Sequence, residues 1–242
     1  MKVLVSFVSL IAFLLVVLTG PLYKYDMIGL GTVFAGFKYG IFTAIAALVL
    51  LALQAIFKRN TLTLANLAIT VALSAVALGL PLSMLSKGKS VPPIHDISTD
   101  LINLPEFVAI APLRADAPNP VAYAGEATAK QQRQGYPELK TLIYSQSKAE
   151  LVNAVEQVTK KLGWELVNTD ANKGLVEATD TTAWFGFKDD IVIRITDNGN
   201  ERMVDIRSKS RVEGSNLGKN AERIHGFIEE LDSILETIPD SV

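Results

Sequence analysis

Six charged side chains fall within one stretch of the chain: Asp190, Arg194, Asp205, Arg207, Lys209 and Arg211. Between them lies Asn198-Gly199, flanked by alternating apolar runs, which signals a hairpin closed by a type I′ turn. If those two residues form the loop, Asp197 pairs with Asn200. Asp190 then stands across from Arg207, Val192 from Asp205 and Arg194 from Met203. Ile191 faces Ile206 and Ile193 faces Val204 on the opposite surface, because alternate strand residues point to opposite faces. The charged surface has two readings. It is a pocket in which Arg194, Arg207, Lys209 and Arg211 receive a small anion, or a solvated sheet face laced with ion pairs worth ~0.2–1 kcal/mol each. In this register Arg211 has no acidic residue opposite it, which makes it the expected ligand contact.

Other residues offer less. His95 precedes Asp96, with Asp100 four residues on, and a histidine–carboxylate pair could orient a base or join a metal site. The second histidine, His225, falls on a helical stretch, and a third clear ligand is missing, so no metal site is expected. Ser215 and Asn216 open the last helical segment. Amides at a helix start can bind an anion, but capping explains both residues equally well. Nothing marks a nucleophilic serine, and neither a phosphate loop nor a dinucleotide fingerprint is present. No catalytic residue and no cofactor is assigned. The absence of cysteine excludes thiolate chemistry, disulfides and a lipoprotein cysteine.

The elements that would position these groups begin after Pro137. Leu139–Ser145 reads as a strand. Ser147 and Glu150 form a capping box that opens a helix with Leu151, Val155, Val158 and Leu162 on one stripe and Gly163 at its end. Strands follow at Trp164–Asn168, Gly174–Thr179, Trp184–Phe187, Asp190–Thr196 and Arg202–Val212. A last helix runs from Leu217 to Thr237 on the stripe Leu217, Ala221, Ile224, Ile228, Leu231 and Leu235. The class is α+β, in the order β-α-β-β-β-β-β-α: an antiparallel sheet with two helices on one face. The other face is open or covered by residues 88–136. Seven prolines in residues 88–137 make that segment an extended strap.

Ahead of the strap, residues 1–87 read as a membrane anchor. Apolar stretches at 3–19, 39–57 and 62–85 each meet the roughly 20 residues that a bilayer core requires, the first only just. Met27–Phe37 extends the second helix or lies at the interface, and Tyr23, Tyr25 and Tyr39 suit an aromatic belt. Residues 1–89 carry seven Lys/Arg and one acidic residue, Asp26. The remainder carries sixteen Lys/Arg against twenty-four Asp/Glu. A basic anchor suits anionic lipid, while an acidic soluble part argues against nucleic acid. Lys58-Arg59 in a short loop, with Lys2 on the same side, places the amino end in the cytoplasm. Lys24, Lys38, Lys87 and Lys89 oppose that assignment. Three spans then put the soluble domain, 137–242, outside.

Taken together, three groups of residues resemble one family. They are Phe185-Gly186-Phe187 with Asp189-Asp190, then Arg207-Ser208 with Ser210-Arg211, and then Asn216-Leu217-Gly218 with Asn220, Arg223 and Ile224. These strings, with the entry Val91–Thr99, resemble the domain of unknown function 1499 family across roughly 91–235. Three spans before the domain resemble one branch of it. The cysteine near the proline entry, common in that family, is missing. The resemblance implies an envelope location in a bacterial inner membrane and no named activity. Two functions are therefore expected to compete. One is a domain that binds an envelope protein or a small anionic ligand near the bilayer. The other is an enzyme acting on a lipid or cell-wall intermediate through His95 and the Asp/Arg cluster.

Overall fold

The computed structural model describes residues 2–212 and 217–237. The chain divides into two units. One holds the amino-terminal part to Lys89 together with Thr182–Gly186, and the other holds the rest.

In the first unit the apolar stretches are helices: α1 (Lys2–Val17), α2 (Thr19–Lys24), α3 (Leu30–Phe57) and α4 (Leu64–Ser90). Three runs, Val3–Lys24, Leu30–Phe57 and Leu64–Ser90, are long and apolar enough to cross a membrane. Met27–Phe37 does extend the second helix, from Leu30 onward. Lipid chains are as apolar as leucine, so helices that associate in a bilayer do so by close packing and polar contacts. Both devices are present. Gly36, Gly40, Ala44 and Ala47 form a buried stripe on α3. A Cβ at Gly36 would collide with the Thr19 side chain and lie 2.8 Å from the Leu15 carbonyl, and one at Gly40 would lie 2.5 Å from Val16. On α4 the buried residues Asn66, Thr70, Ser74, Ala77 and Pro81 recur at helical spacing, and the Asn66 amide donates to Ser6 Oγ at 2.8 Å.

The second unit is built on a six-stranded antiparallel sheet. Its strands are β1 (Asp96–Ser98), β2 (Leu142–Tyr144), β3 (Glu165–Asp170), β4 (Leu175–Thr181), β5 (Lys188–Asn198) and β6 (Glu201–Ser210). The order is β1-β6-β5-β4-β3, with β2 also paired to β6. Helices α5 (Ile110–Leu113) and α6 (Glu126–Gly135) belong to the strap, and α7 (Lys148–Lys161) and α8 (Lys219–Thr237) to the body. The capping box is present: Ser147 N donates to Glu150 and Glu150 N to Ser147 Oγ. The buried residues of α7 and α8, among them Leu151, Val155, Ile224, Phe227 and Leu231, pack on Val176, Ile191, Ile193, Ile195, Val204 and Ile206. Each such side chain contributes about 1.5–3 kcal/mol on burial.

Two expectations are corrected, one strand and the hairpin register. Trp184–Phe187 is a loop, and the sixth strand is β1, supplied by the strap. The strap is also part of the core: Ile94 and Ile97 join the main apolar cluster, while Phe107 and Ile110 form a second one with Leu175 and Val192. Gln132 of α6 seals the strand edge, accepting from Ser98 N at 3.0 Å and donating to Ser98 O at 2.6 Å. Last, the hairpin register is displaced by two residues. Asn198 pairs with Glu201 and Asp197 with Arg202, so the loop is Gly199-Asn200. Gly199 has φ +65° and Asn200 is not among the positive-φ residues, as in a type II′ turn, which places Gly first. A two-residue displacement leaves every side chain on its expected face but changes its partner.

Candidate functional site

The charged face of the hairpin lies opposite the helices. In the observed register Asp190 pairs with Lys209, Val192 with Arg207 and Arg194 with Asp205. The face is neither open nor solvated, because the strap covers it and supplies partners. Asp96 enters from β1 and accepts from Arg207 at both oxygens (Nε–Oδ1 2.9 Å, Nη2–Oδ2 2.8 Å) and from Lys209 Nζ at 2.7 Å. Arg207 also donates to the carbonyls of Pro105 and Val121, and Lys209 to that of Ala122. All three charged side chains are buried.

Asp190 accepts a two-pronged contact from Arg211 and a hydrogen bond from Thr179. A second cation, Arg114 of the strap, reaches it at 3.2 Å. Burial lowers the Arg114 pKa, with Asp190 and then Asp96 opposing the shift. Burial also lowers that of Lys209, again against Asp96. The Tyr123 phenol nearby is pushed up to about 12, by burial first and by Asp96 second. Phe107 lies under two guanidinium groups, 5.6 Å from Arg114 and 5.1 Å from Arg207.

Arg194 bridges Asp205 (2.8 Å) and Asp100 (2.9 Å). Asp205 also accepts from Thr99 and Thr141. The fifth carboxylate is Glu177 of β4, buried, which accepts the amides of Val108, Ala109 and Ile110 and the Asn168 side chain. Five cations (Arg114, Arg194, Arg207, Lys209, Arg211) therefore meet four carboxylates (Asp96, Asp100, Asp190, Asp205), and the fifth, Glu177, is held by amides, so that the charges of the set balance. A neutral, hydrogen-bonded set is the form in which buried charge is tolerated. Chemically, the arrangement grips backbone carbonyls and amides of the strap.

The Asp96 carboxylate is committed to Arg207 and Lys209, while the His95 carbonyl accepts from Ser210 N and Asn220 Nδ2. Ser215 and Asn216 lie outside the described residues. His225 contacts Glu138 at 3.0 Å at the surface. Among the described residues no group of three His, Cys, Asp or Glu side chains is placed to hold a metal ion.

A second polar cluster, not anticipated from the charged hairpin, sits on the helix side of the sheet. Arg223 of α8 donates to Asp180 (2.8 Å), Asp189 (2.6 Å), Asn220 (2.6 Å) and Ser208 (3.1 Å). Asn220 ties the same knot to Ser210 and to the His95 carbonyl. These are residues of the strings singled out in the sequence: Asp189 from the first, Ser208 and Ser210 from the second, Asn220 and Arg223 from the third. A family model described as a protein of unknown function, DUF1499, matches residues 96–231, over half of the chain. The chain belongs to the DUF1499 family. No curated protein matches it. The matched segment begins at Asp96, the strap residue that enters the charged face. Arg114 and Glu177 were not singled out in the sequence. For Glu177 a signal existed: a lone carboxylate set among the apolar residues Leu175, Val176 and Ala178 of a predicted strand.

Proposed function

We propose that this DUF1499 protein is an envelope protein anchored in a bacterial inner membrane, whose soluble domain binds a partner through its strap. One observation carries this reading. Ile102, Val108 and Leu113 are 88%, 57% and 58% exposed within a twelve-residue stretch of strap. The backbone beneath them is fastened: Pro105 O to Arg207, the amides of 108–110 to Glu177 and Leu113 O to Arg211. Large apolar side chains held outward on a rigid backbone suit recognition of another surface. In this reading the hairpin charges position the strap rather than receive an anion. The test is capture of copurifying proteins from membranes by the tagged protein and by the triple variant I102S/V108S/L113S. The variant is expected to keep its melting temperature and lose the partner. Recovery of the same proteins in the same amounts would overturn the proposal.

The domain is proposed to face the periplasm. The support is the Lys58-Arg59 pair in a short loop, followed by the third apolar helix. A reporter active only in the periplasm, fused after Val242, should be active. A silent periplasmic fusion beside an active cytoplasmic one would reverse the orientation.

A further inference from the structure

The first apolar run, Val3–Lys24, keeps a helical backbone through Leu18 (φ −79°, ψ −19°), but residues 20–21 are Gly-Pro, which breaks its hydrogen-bond ladder. In a continuous helix the Val17 carbonyl would accept from the amide of residue 21. Residue 21 is proline and has no N–H, so that carbonyl is left without its helical donor. In a bilayer no water is at hand for an unpartnered backbone group, and neighbouring groups must satisfy it. Here the donor is Trp184 of the loop Thr182–Gly186, which belongs to the same unit as the helices. Its indole Nε1 donates to Val17 O at 3.2 Å.

The surroundings fit the indole. Gly20 is where the ring approaches: a Cβ there would lie 2.5 Å from Trp184 Nε1. Phe37 of α3 stacks on the indole at 6.4 Å and meets Phe185 edge-on at 6.2 Å. Lys24 Nζ donates to the Ala183 carbonyl at 3.0 Å, and a Cβ at Gly186 would press on the Lys24 side chain at 2.8 Å. Tryptophan is enriched at the bilayer interface because its ring is apolar and its N–H polar.

We infer that the Gly20-Pro21 break is a socket at the membrane interface, in which the Trp184 indole replaces the hydrogen bond that Pro21 withholds. The inference rests on the helices being membrane spans, and the test separates the two. The chain has two tryptophans. The other, Trp164, is stacked on Phe227 in the core of the second unit, so the emission lost in W184F belongs to Trp184. Full-length wild type and W184F are placed in phosphatidylcholine vesicles with ordinary or brominated chains.

Both proteins should float with the vesicles, and brominated chains should quench a larger fraction of wild-type emission than of W184F emission. G20V should expel the ring and open it to aqueous acrylamide. Failure to float would overturn the membrane reading. Flotation with equal quenching in the two proteins would overturn the socket alone. The hydrogen bond has its own test, which also serves if G20V does not insert. P21A returns an N–H to Val17 O, so W184F should lower the melting temperature in the wild-type background and leave it unchanged in P21A. Equal drops in the two backgrounds would overturn the donor role.

Discussion

Arg211 holds Asp190 by both oxygens, Nε to Oδ2 at 2.8 Å and Nη2 to Oδ1 at 2.7 Å. The residue directly across from Asp190 is Lys209, so Arg211 reaches back from beyond the end of β6. Its third link, to the Leu113 carbonyl at 3.1 Å, fastens the strap to the same carboxylate. The residue expected to be free for a ligand is thus a joint between two segments of one domain.

This changes what its neighbour should do on mutation. A solvated pair across a hairpin is worth ~0–1 kcal/mol. Arg207 and Asp96, however, have side chains 5% and 1% exposed. Removing one partner of a buried pair strands the other charge and typically costs ~3–5 kcal/mol. Arg207→Ala should therefore lower stability by that amount in denaturant unfolding of the detergent-solubilised protein. Arg207→Lys should rescue little, since an ammonium cannot make the two-pronged contact. A loss below about 1 kcal/mol would return the face to the solvated class.

Glu177→Gln tests the fastening of the strap. The carboxylate accepts three consecutive amides, and bonds to a charged group contribute ~1.5–3 kcal/mol each. The neutral amide weakens all three and turns one acceptor into a donor facing N–H groups. Limited proteolysis should then cut first between Leu104 and Asn119 and faster than in wild type. Unchanged cleavage would show that Glu177 does not hold this segment.

Among the apolar helices, Gly36 and Gly31 make a matched pair. Both lie on α3. A Cβ at Gly36 meets Thr19 and the Leu15 carbonyl, while one at Gly31 meets nothing within 4 Å. Gly36→Ala should lower the melting temperature in detergent, because the α1–α3 approach depends on the missing side chain. Gly31→Ala should be neutral or mildly stabilising. Equal effects would mean the stripe is not a packing seam.

Acid should loosen the strap through Asp100. Burial alone would raise its carboxyl. Hydrogen bonds from the Asn103 and Ile102 amides and from Arg194 outweigh that and hold it below the usual aspartate range. A carboxylate whose folded pKa is depressed contributes stability in full above its unfolded value. That contribution is lost as pH falls through the folded one. Wild-type stability should therefore drop below about pH 3.8 more steeply than that of Asp100→Asn. Parallel pH curves for the two proteins would remove Asp100 from the acid response.

The helices were legible from sequence because their signals are local. The Ser147–Glu150 capping box, the stripe on α8 and the long apolar runs each depend on residues a few positions apart. The hairpin was legible in its faces but not in its pairing. Alternation decides which side a residue occupies, whereas Gly199 at the first rather than the second loop position displaces every partner by two. Prolines bias a segment away from regular structure, though Pro112 sits in the short helix α5, and they do not say what the segment covers, so the burying of the charged face by residues 88–136 was decided by tertiary structure. The same holds for the pairs Asp96–Arg207 and Glu177–Val108, over a hundred and nearly seventy residues apart. A charge in sequence carries no sign of whether water or another chain segment will neutralise it. That depends on which segments the core brings within hydrogen-bonding distance, and no local spacing encodes it.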